Sequence, residues 1–301
     1  MLELWRFNPA IFEADAHNPL ISTSAWAGHR RFAYDYVRNI LPRTVVELGT
    51  YHGCAFFAFC QAAKDDGLDW MRLYAVDNWI GNFHDSFYGE DVFETVKRVA
   101  GTCFGSLRIT LVRKHLAEAA PSFENESIDL LHIDGTHTYE ALSEDLKTWL
   151  PKLAPEGVVF LHDVHTERHD TTRLWRELAL EHPTLLFEHA FGLGLLFPKG
   201  DKQYRHLVSQ GLPYLTRFYA SIGTLEMQLA RAKQDNADAF SKGFSSGVAE
   251  AHPHLAGIEE RLRQAEAELA REKARTDIWW QAAMDAQWKL DSLSCAASPK
   301  K

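Results

Sequence analysis

Between residues 44 and 197 the chain alternates short apolar runs with stretches whose apolar residues recur at helical spacing. TVVEL (44–48), LYAVD (73–77), LRITLV (107–112), IDLLHID (128–134) and GVVFLHD (157–163) read as strands. Residues 53–64, 90–100, 115–120, 138–150 and 171–181 read as the helices that alternate with them. The apolar strands show little period-two alternation, which fits burial on both faces. Strands alternating with helices predict a mainly parallel sheet covered by helices on both sides. The run LLFEHAFGLGLLF (185–197) predicts two more strands joined around Gly192 and Gly194, an antiparallel hairpin at one edge.

The ends of the chain differ. Residues 1–25 read as irregular, with Asn8-Pro9 and Asn18-Pro19 as turn signals. Residues 26–40 place Phe32, Tyr36 and Ile40 at helical spacing, and Pro42 stops that helix. After about residue 221 the strand patterns cease and Ala, Glu, Arg and Gln become common. Leu255, Ile258, Leu262, Ala265 and Leu269 form an apolar stripe, which Glu272 and Thr276 interrupt. Trp279, Ala283, Ala286, Leu290 and Leu293 resume it in register. Two readings fit: a coiled coil joining copies into a homo-oligomer, or an amphipathic helix docked on the domain. The expected organisation is an irregular segment (1–25), an α/β domain (26–220) and a helical tail (221–301).

Composition adds limits. Hydrophobic residues make up 46% and charged residues 24%, so a buried core is expected over most of the length. The formal net charge of -9 argues against nucleic acid as a partner. Cys54, Cys60, Cys103 and Cys295 form no C-x-x-C pair and read as reduced thiols of a cytoplasmic protein. The first residues lack a basic stretch followed by an apolar run, and no apolar run reaches the roughly 20 residues of a transmembrane helix.

The candidate chemistry begins at Glu47-Leu48-Gly49-Thr50-Tyr51-His52-Gly53, which ends a strand and opens a helix. Gly49 permits a sharp turn and close approach of a ligand, and Gly53 permits close passage of the helix start. A dinucleotide fold would place G-x-G-x-x-G here to seat a diphosphate. This chain has E-x-G-x-x-x-G. A carboxylate at that place repels phosphate but suits a cofactor with an ammonium and a sulfonium, such as S-adenosylmethionine. Asp77 ends the second strand, where an acidic group accepts ribose hydroxyls. Asn78 and Trp79 follow, and Trp79 is a candidate to stack on adenine.

Two further strand ends are polar. LHIDGTHTYE brings His132, Asp134 and His137, and FLHDVH brings His162, Asp163 and His165. Parallel strands deliver all of these to the rim that carries Glu47 and Asp77. Alternation puts His132 and Asp134 on one face and Ile133 on the other. Three readings stand: a catalytic base with helpers (His137, His162, Asp163, His165), a divalent-metal site on Asp134 and Asp163, or caps and turns.

Taken together, VVELGTYHGCAFFAFCQA, LYAVDNWIGNFHDSFYGEDVF, SIDLLHIDGTHTYEALSEDLKTWLPKLAPEGVVFLHD and FGLGLLFPKG resemble class I methyltransferase domains of the methyltransferase-24 type, from about Trp26 to Pro198. The HIDGTHTY and LHD pair is the most specific part. The resemblance implies a Rossmann-like, seven-stranded, mostly parallel sheet with an antiparallel final hairpin. It implies S-adenosylmethionine held by Glu47, Gly49, Gly53 and Asp77, in a site that Thr50, Tyr51, Asn78, Trp79 and Asp134 complete.

Domains of this kind often accompany glycosyltransferases in polysaccharide assembly. That implies O-methylation of a sugar or glycan hydroxyl, with a glycosyltransferase as partner or fused domain. Relatives such as the macrocin and catechol O-methyltransferases hold magnesium through the position of Asp134 and an acidic or Asp–Asn pair after the fifth strand. Here that pair is His162-Asp163, and histidine is a poor magnesium ligand, so metal dependence is open. A related group is named for cephalosporin hydroxylase chemistry. The same α/β pattern also accommodates a catalytically degenerate scaffold or a nicotinamide-dependent oxidoreductase. The missing third glycine and Glu47 weigh against the oxidoreductase.

Overall fold

The computed structural model describes residues 5–81, 87–168, 170–241, 255–268 and 270–271. Seven strands form one sheet: β1 (Thr44–Leu48), β2 (Arg72–Asp77), β3 (Arg108–Arg113), β4 (Ile128–Ile133), β5 (Leu153–His162), β6 (Thr184–Phe187) and β7 (Leu193–Leu196). Up to residue 241 the α-helices among the described residues are α1 (Leu20–Thr23), α2 (Arg30–Ile40), α3 (Cys54–Asp65), α4 (Glu90–Phe104), α5 (Leu116–Ala119), α6 (Tyr139–Trp149), α7 (Thr171–Glu181), α8 (Lys202–Ser209) and α9 (Leu212–Ser241).

The strand order is β3-β2-β1-β4-β5-β7-β6. β1 to β5 run parallel, and β7 pairs antiparallel with both β5 and β6. This is the mainly parallel sheet with an antiparallel edge hairpin that the pattern predicts, and the Rossmann-like methyltransferase fold that the resemblance implies. β1 lies centrally, and every one of its residues is buried. One apolar layer gathers Trp26, Phe32, Phe56, Phe59 and Phe160; the other gathers Leu48, Ile133, Leu142, Trp149 and Leu161. Those two layers explain why the strands carry no polar face. β5 begins at Leu153, earlier than the apolar run at 157, and its pairing with β4 shifts register between Ile128 and Leu130.

Both ends depart from expectation. The segment before residue 26 belongs to the core: Trp5, Ala14 and Ile21 are buried, and α1 forms within it. The indole N–H of Trp5 donates to the Tyr219 hydroxyl (2.8 Å), which donates to Asp35 Oδ2 (2.8 Å). The predicted helix at 26–40 is a 3-10 turn (Ala25–His29) that continues into α2.

At the other end α9 begins at Leu212, and its Tyr219, Ile222 and Leu225 are buried. A domain boundary at 220 would cut through this packed face. Residues 255–268 are helical; Ile258 is buried, and Leu262 and Ala265 pack on the main core. Arg31 Nη2 meets Glu266 at 2.9 Å. Over these residues the stripe is spent on its own chain, as a docked amphipathic helix rather than a coiled-coil seam. Leu269, Trp279, Ala283, Ala286, Leu290, Leu293 and Cys295 lie outside the described residues. No helix among the described residues is long and apolar enough to cross a membrane.

Candidate active site

In an open α/β sheet the ligand crevice lies beyond the carboxyl ends of the strands, where the strand order reverses. Here that point falls between β1 and β4. The amide of Gly49 donates to Val76 (2.9 Å) and that of Asp134 donates to Leu48 (2.8 Å), which ties the three strand ends together. Gly49 has φ +85°, and a Cβ there would lie 2.2 Å from the carbonyl oxygen of Asp134. Gly53, at φ +84°, would drive a Cβ to 2.6 Å from the Phe57 ring. Both positions therefore require glycine.

A cavity of about 660 Å³ opens at this crevice. Glu47, Asp77 and Asp134 all line it, with Gly49, Thr50, Tyr51, Asn78 and His137. Among the described lining residues there is no lysine or arginine. Glu47 and Asp77, with no lysine or arginine in the lining, disfavour a diphosphate and favour a cation with hydroxyl groups.

Glu47 is buried, and burial pushes its carboxyl up although the His132 ring beside it pulls the other way. Its Oε1 meets His132 Nδ1 at 3.1 Å, while Oε2 and the Thr50 Oγ1 are buried without a hydrogen-bond partner. Such orphaned acceptors at a cavity wall fit an incoming ammonium. Sequence alone sent His132 to the rim; the structure buries it completely beneath Glu47.

Asp77 Oδ2 accepts from the Tyr51 amide (2.8 Å) and Oδ1 from the Trp79 amide (2.7 Å). On the cavity side both oxygens face the Tyr88 hydroxyl, at 3.2 and 3.3 Å. Tyr51 is half-exposed at the mouth with φ 48°. Asn78 lines the same wall, and its Oδ1 accepts from the Ile80 amide (2.7 Å). Trp79 corrects the expectation of an adenine stack. It is buried, its ring lies 4.9 Å from that of Phe93, and its indole N–H donates to the Tyr51 carbonyl (3.1 Å). It braces the Tyr51 turn from behind.

The polar ends of β4 and β5 converge as one cluster. His137 Nε2 lies 2.9 Å from Asp163 Oδ2 and 3.3 Å from Asp134 Oδ1. His162 Nδ1 lies 3.2 Å from Asp134 Oδ1 and 3.3 Å from Asp163 Oδ2. Burial pulls both imidazoles down, but the two carboxylates outweigh it and lift His137 to about 11 and His162 to about 10. Burial raises Asp163, and His137 and His162 more than reverse this, bringing it to about 2. Histidine at its ordinary value near 6.5, the sequence expectation for a base, is thus not what the cluster holds.

Asp134 and His137 line the cavity; His162 and Asp163 stand behind them. Asp163 has φ 57°, a strained left-handed backbone of the kind that gathers at functional sites. His165 is the second correction: it is exposed, and it does not line the cavity. Asp134, His162 and Asp163 each offer one ligand atom, all within 4.8 Å of one another. Two oxygens and an imidazole nitrogen form a donor set that suits magnesium poorly, since imidazole goes with softer ions. His162 thus stands within ligand reach of the predicted pair of aspartates.

Other lining residues carried no motif. Thr23, Ser24 and Trp26 come from the segment before α2, Tyr88 precedes α4, and His52 and His115 come from loops. Trp26 and Ser24 stood next to the predicted helix start; nothing in their spacing marked them.

Residues 46–164 match a family model described as a methyltransferase domain. The chain is 34% identical over 267 residues to the uncharacterized protein y4gI of Sinorhizobium fredii, a match over 88% of this chain that spans 27% of that protein's length. Among solved structures, the SAH-bound methyltransferase PaMTH1 of Podospora anserina aligns with a TM-score of 0.49 at 14% identity, over 63% of this chain and 89% of that one. The O-methyltransferase TomG of Streptomyces achromogenes, solved in complex with SAM, aligns with a TM-score of 0.44 at 14% identity, over 66% of this chain and all of that one (100%). The family match over residues 46–164 falls within the seven-stranded sheet, from β1 to just past β5.

Proposed function

We propose that the chain is an S-adenosylmethionine-dependent O-methyltransferase acting on a sugar or glycan hydroxyl. One observation carries this reading: Glu47, Asp77 and Asp134 line one cavity at the switch point, with Glu47 Oε2 orphaned in its wall. Glu47 would hold the ammonium of the cofactor, Asp77 its ribose, and Tyr51 and Asn78 the adenine side. Gly49 lets the chain pass close beneath. When bound, the cofactor supplies the methyl group and the sulfur leaving group.

The residues supply orientation and proton uptake. Asp134 and His137 face the acceptor. With His137 already protonated, the Asp134 carboxylate would take up the hydroxyl proton while the His137 imidazolium holds it in place. His162 and Asp163 hold the pair in place from behind. A divalent cation on Asp134, His162 and Asp163 would polarise the acceptor oxygen. Thr23, Ser24, His52 and Thr136 line the same cavity and give it uncharged hydrogen-bonding groups, which suit a polyhydroxyl acceptor.

The chain spans about a quarter of the length of its curated relative, 27%. A glycosyltransferase as partner or fused domain, and self-association through residues after 271, are part of the proposal. The test is calorimetric. S-adenosylmethionine titrated into the wild-type protein should bind, and Asp77→Ala should weaken binding at least about tenfold, the worth of a lost charge-assisted hydrogen bond. Unchanged affinity in the variant would remove the assigned site.

A further inference from the structure

Beneath the cavity a buried chain of three side chains runs Trp26, His132, Glu47. The indole Nε1 of Trp26 lies 2.9 Å from His132 Nε2, and His132 Nδ1 lies 3.1 Å from Glu47 Oε1. The three side chains are 2%, 0% and 1% exposed, so no bulk water competes for these bonds.

The indole N–H is a donor and nothing else. His132 Nε2 must therefore accept, which means it carries no proton. The ring's one proton then sits on Nδ1 and points at the Glu47 carboxylate. The ring is also held in place by its neighbours. Trp26 meets it edge-on at 5.1 Å between centroids and Phe59 at 6.0 Å. A flipped ring would set Nε2 and Nδ1 against the wrong partners and leave two buried groups unsatisfied, at a cost of about 1–3 kcal/mol each. Glu47 thus receives one neutral hydrogen bond on Oε1. Its Oε2 is buried without a hydrogen-bond partner, with the Thr50 hydroxyl beside the same carboxylate.

We infer that Trp26 and His132 are positioning residues that hold the Glu47 carboxylate, by a fixed histidine tautomer, with one oxygen left unpaired for the amino group of the cofactor. A cationic partner in place of His132 would neutralise Glu47 from within the fold. A neutral donor orients it and leaves its charge to the ligand. This rests on the proposed cofactor, and it adds two residues that the acidic loop by itself does not reveal.

The test compares two ligands by calorimetry: S-adenosylhomocysteine, which keeps the amino-acid end, and methylthioadenosine, which lacks it. His132→Leu should lose about tenfold or more in affinity for the first and keep its affinity for the second within about twofold. His132→Asn, whose amide can donate toward Glu47 and accept from Trp26, should recover most of the loss. Trp26→Phe keeps an aromatic ring and removes the donor. Nitrogen-15 NMR should show His132 of the wild type protonated on Nδ1 only, and Trp26→Phe should lose that fixed pattern.

Equal losses for both ligands, or no loss for either, would overturn the positioning role. So would a wild-type His132 protonated on Nε2. Should His132→Leu fail to fold, the Asn and Phe variants and the wild-type spectrum still decide. A wild type that binds neither ligand would instead sink the cofactor assignment itself.

Discussion

The hydroxyl of Tyr88 lies 3.2 Å from Asp77 Oδ1 and 3.3 Å from Asp77 Oδ2, on the carboxylate assigned to the ribose. Its ring stands 4.9 Å from that of Tyr51, across the mouth of the same cavity. The tyrosine thus takes the acceptor positions that two ribose hydroxyls would use.

Competition at one carboxylate has a direct consequence. Tyr88→Phe should bind S-adenosylhomocysteine as tightly as the wild type or up to about fivefold more tightly, because the ligand no longer displaces a hydrogen bond worth about 1 kcal/mol. Calorimetry reads this. A clear fall in affinity would mean that the hydroxyl contacts the ligand rather than standing in for it.

Asp35 supplies a pH-dependent term in stability. Burial pushes its carboxyl up to about 7, against the pull of the Tyr219 hydroxyl, the Asn8 amide and the Arg31 and Arg38 charges. In the unfolded chain an aspartate titrates at about 3.9. The folded state therefore binds the proton more tightly, so the group favours folding most below about pH 4 and loses that contribution as pH rises to about 7. The slope in that window is at most about 1.4 kcal/mol per pH unit. Asp35→Asn should raise the melting temperature over wild type at about pH 8 and lose the advantage near pH 4. A difference independent of pH would contradict the account.

Ile258 distinguishes a docked tail from a seam between copies. It is 3% exposed against the core of its own chain. Ile258→Ala should destabilise the protein by roughly 2–4 kcal/mol, by the same amount at every protein concentration. Light scattering should report an unchanged mass. A loss of stability that fades on concentrating the sample would restore the intermolecular reading for this stretch.

The Asp134–His162–Asp163 group predicts a metal preference. Manganese alone, titrated into the protein, should bind more tightly than magnesium, since the nitrogen donor favours the softer ion. Asp163→Asn should weaken manganese at least about tenfold. Equal affinities for the two ions would discount His162 as a ligand.

The parts of this site that sequence revealed share one cause. Glu47, Asp77 and Asp134 each end a strand of a parallel sheet, and such a sheet carries its strand ends to one rim whatever the helices between them contain. Trp79 and His165 stood equally close to those ends in sequence and misled. Two residues past a strand the backbone has left the sheet's regular geometry, and Trp79 itself has φ 51°. Which way the side chain then points depends on local packing: the Phe93 ring takes Trp79, and solvent takes His165. Trp26, His132 and Tyr88 act through partners distant in sequence, at separations of 106, 85 and 11 residues, and no periodicity encodes such pairings. The stripe at 255–268 was legible as a helix, but not its partner, because an apolar face looks the same whether it meets its own domain or a twin.

At Gly223 an added methyl carbon would lie 1.9 Å from the carbonyl oxygen of Gly28, so α9 and the turn that carries Trp26 touch backbone to backbone. Anyone who trims a gene to the sheet and its flanking helices, ending where the last strand ends, strips the outer support from that turn. The truncated product would keep Glu47, Asp77, Asp134 and Asp163 but lose the packing that backs the turn carrying Trp26. Preparations meant for ligand screening should extend at least through the end of α9.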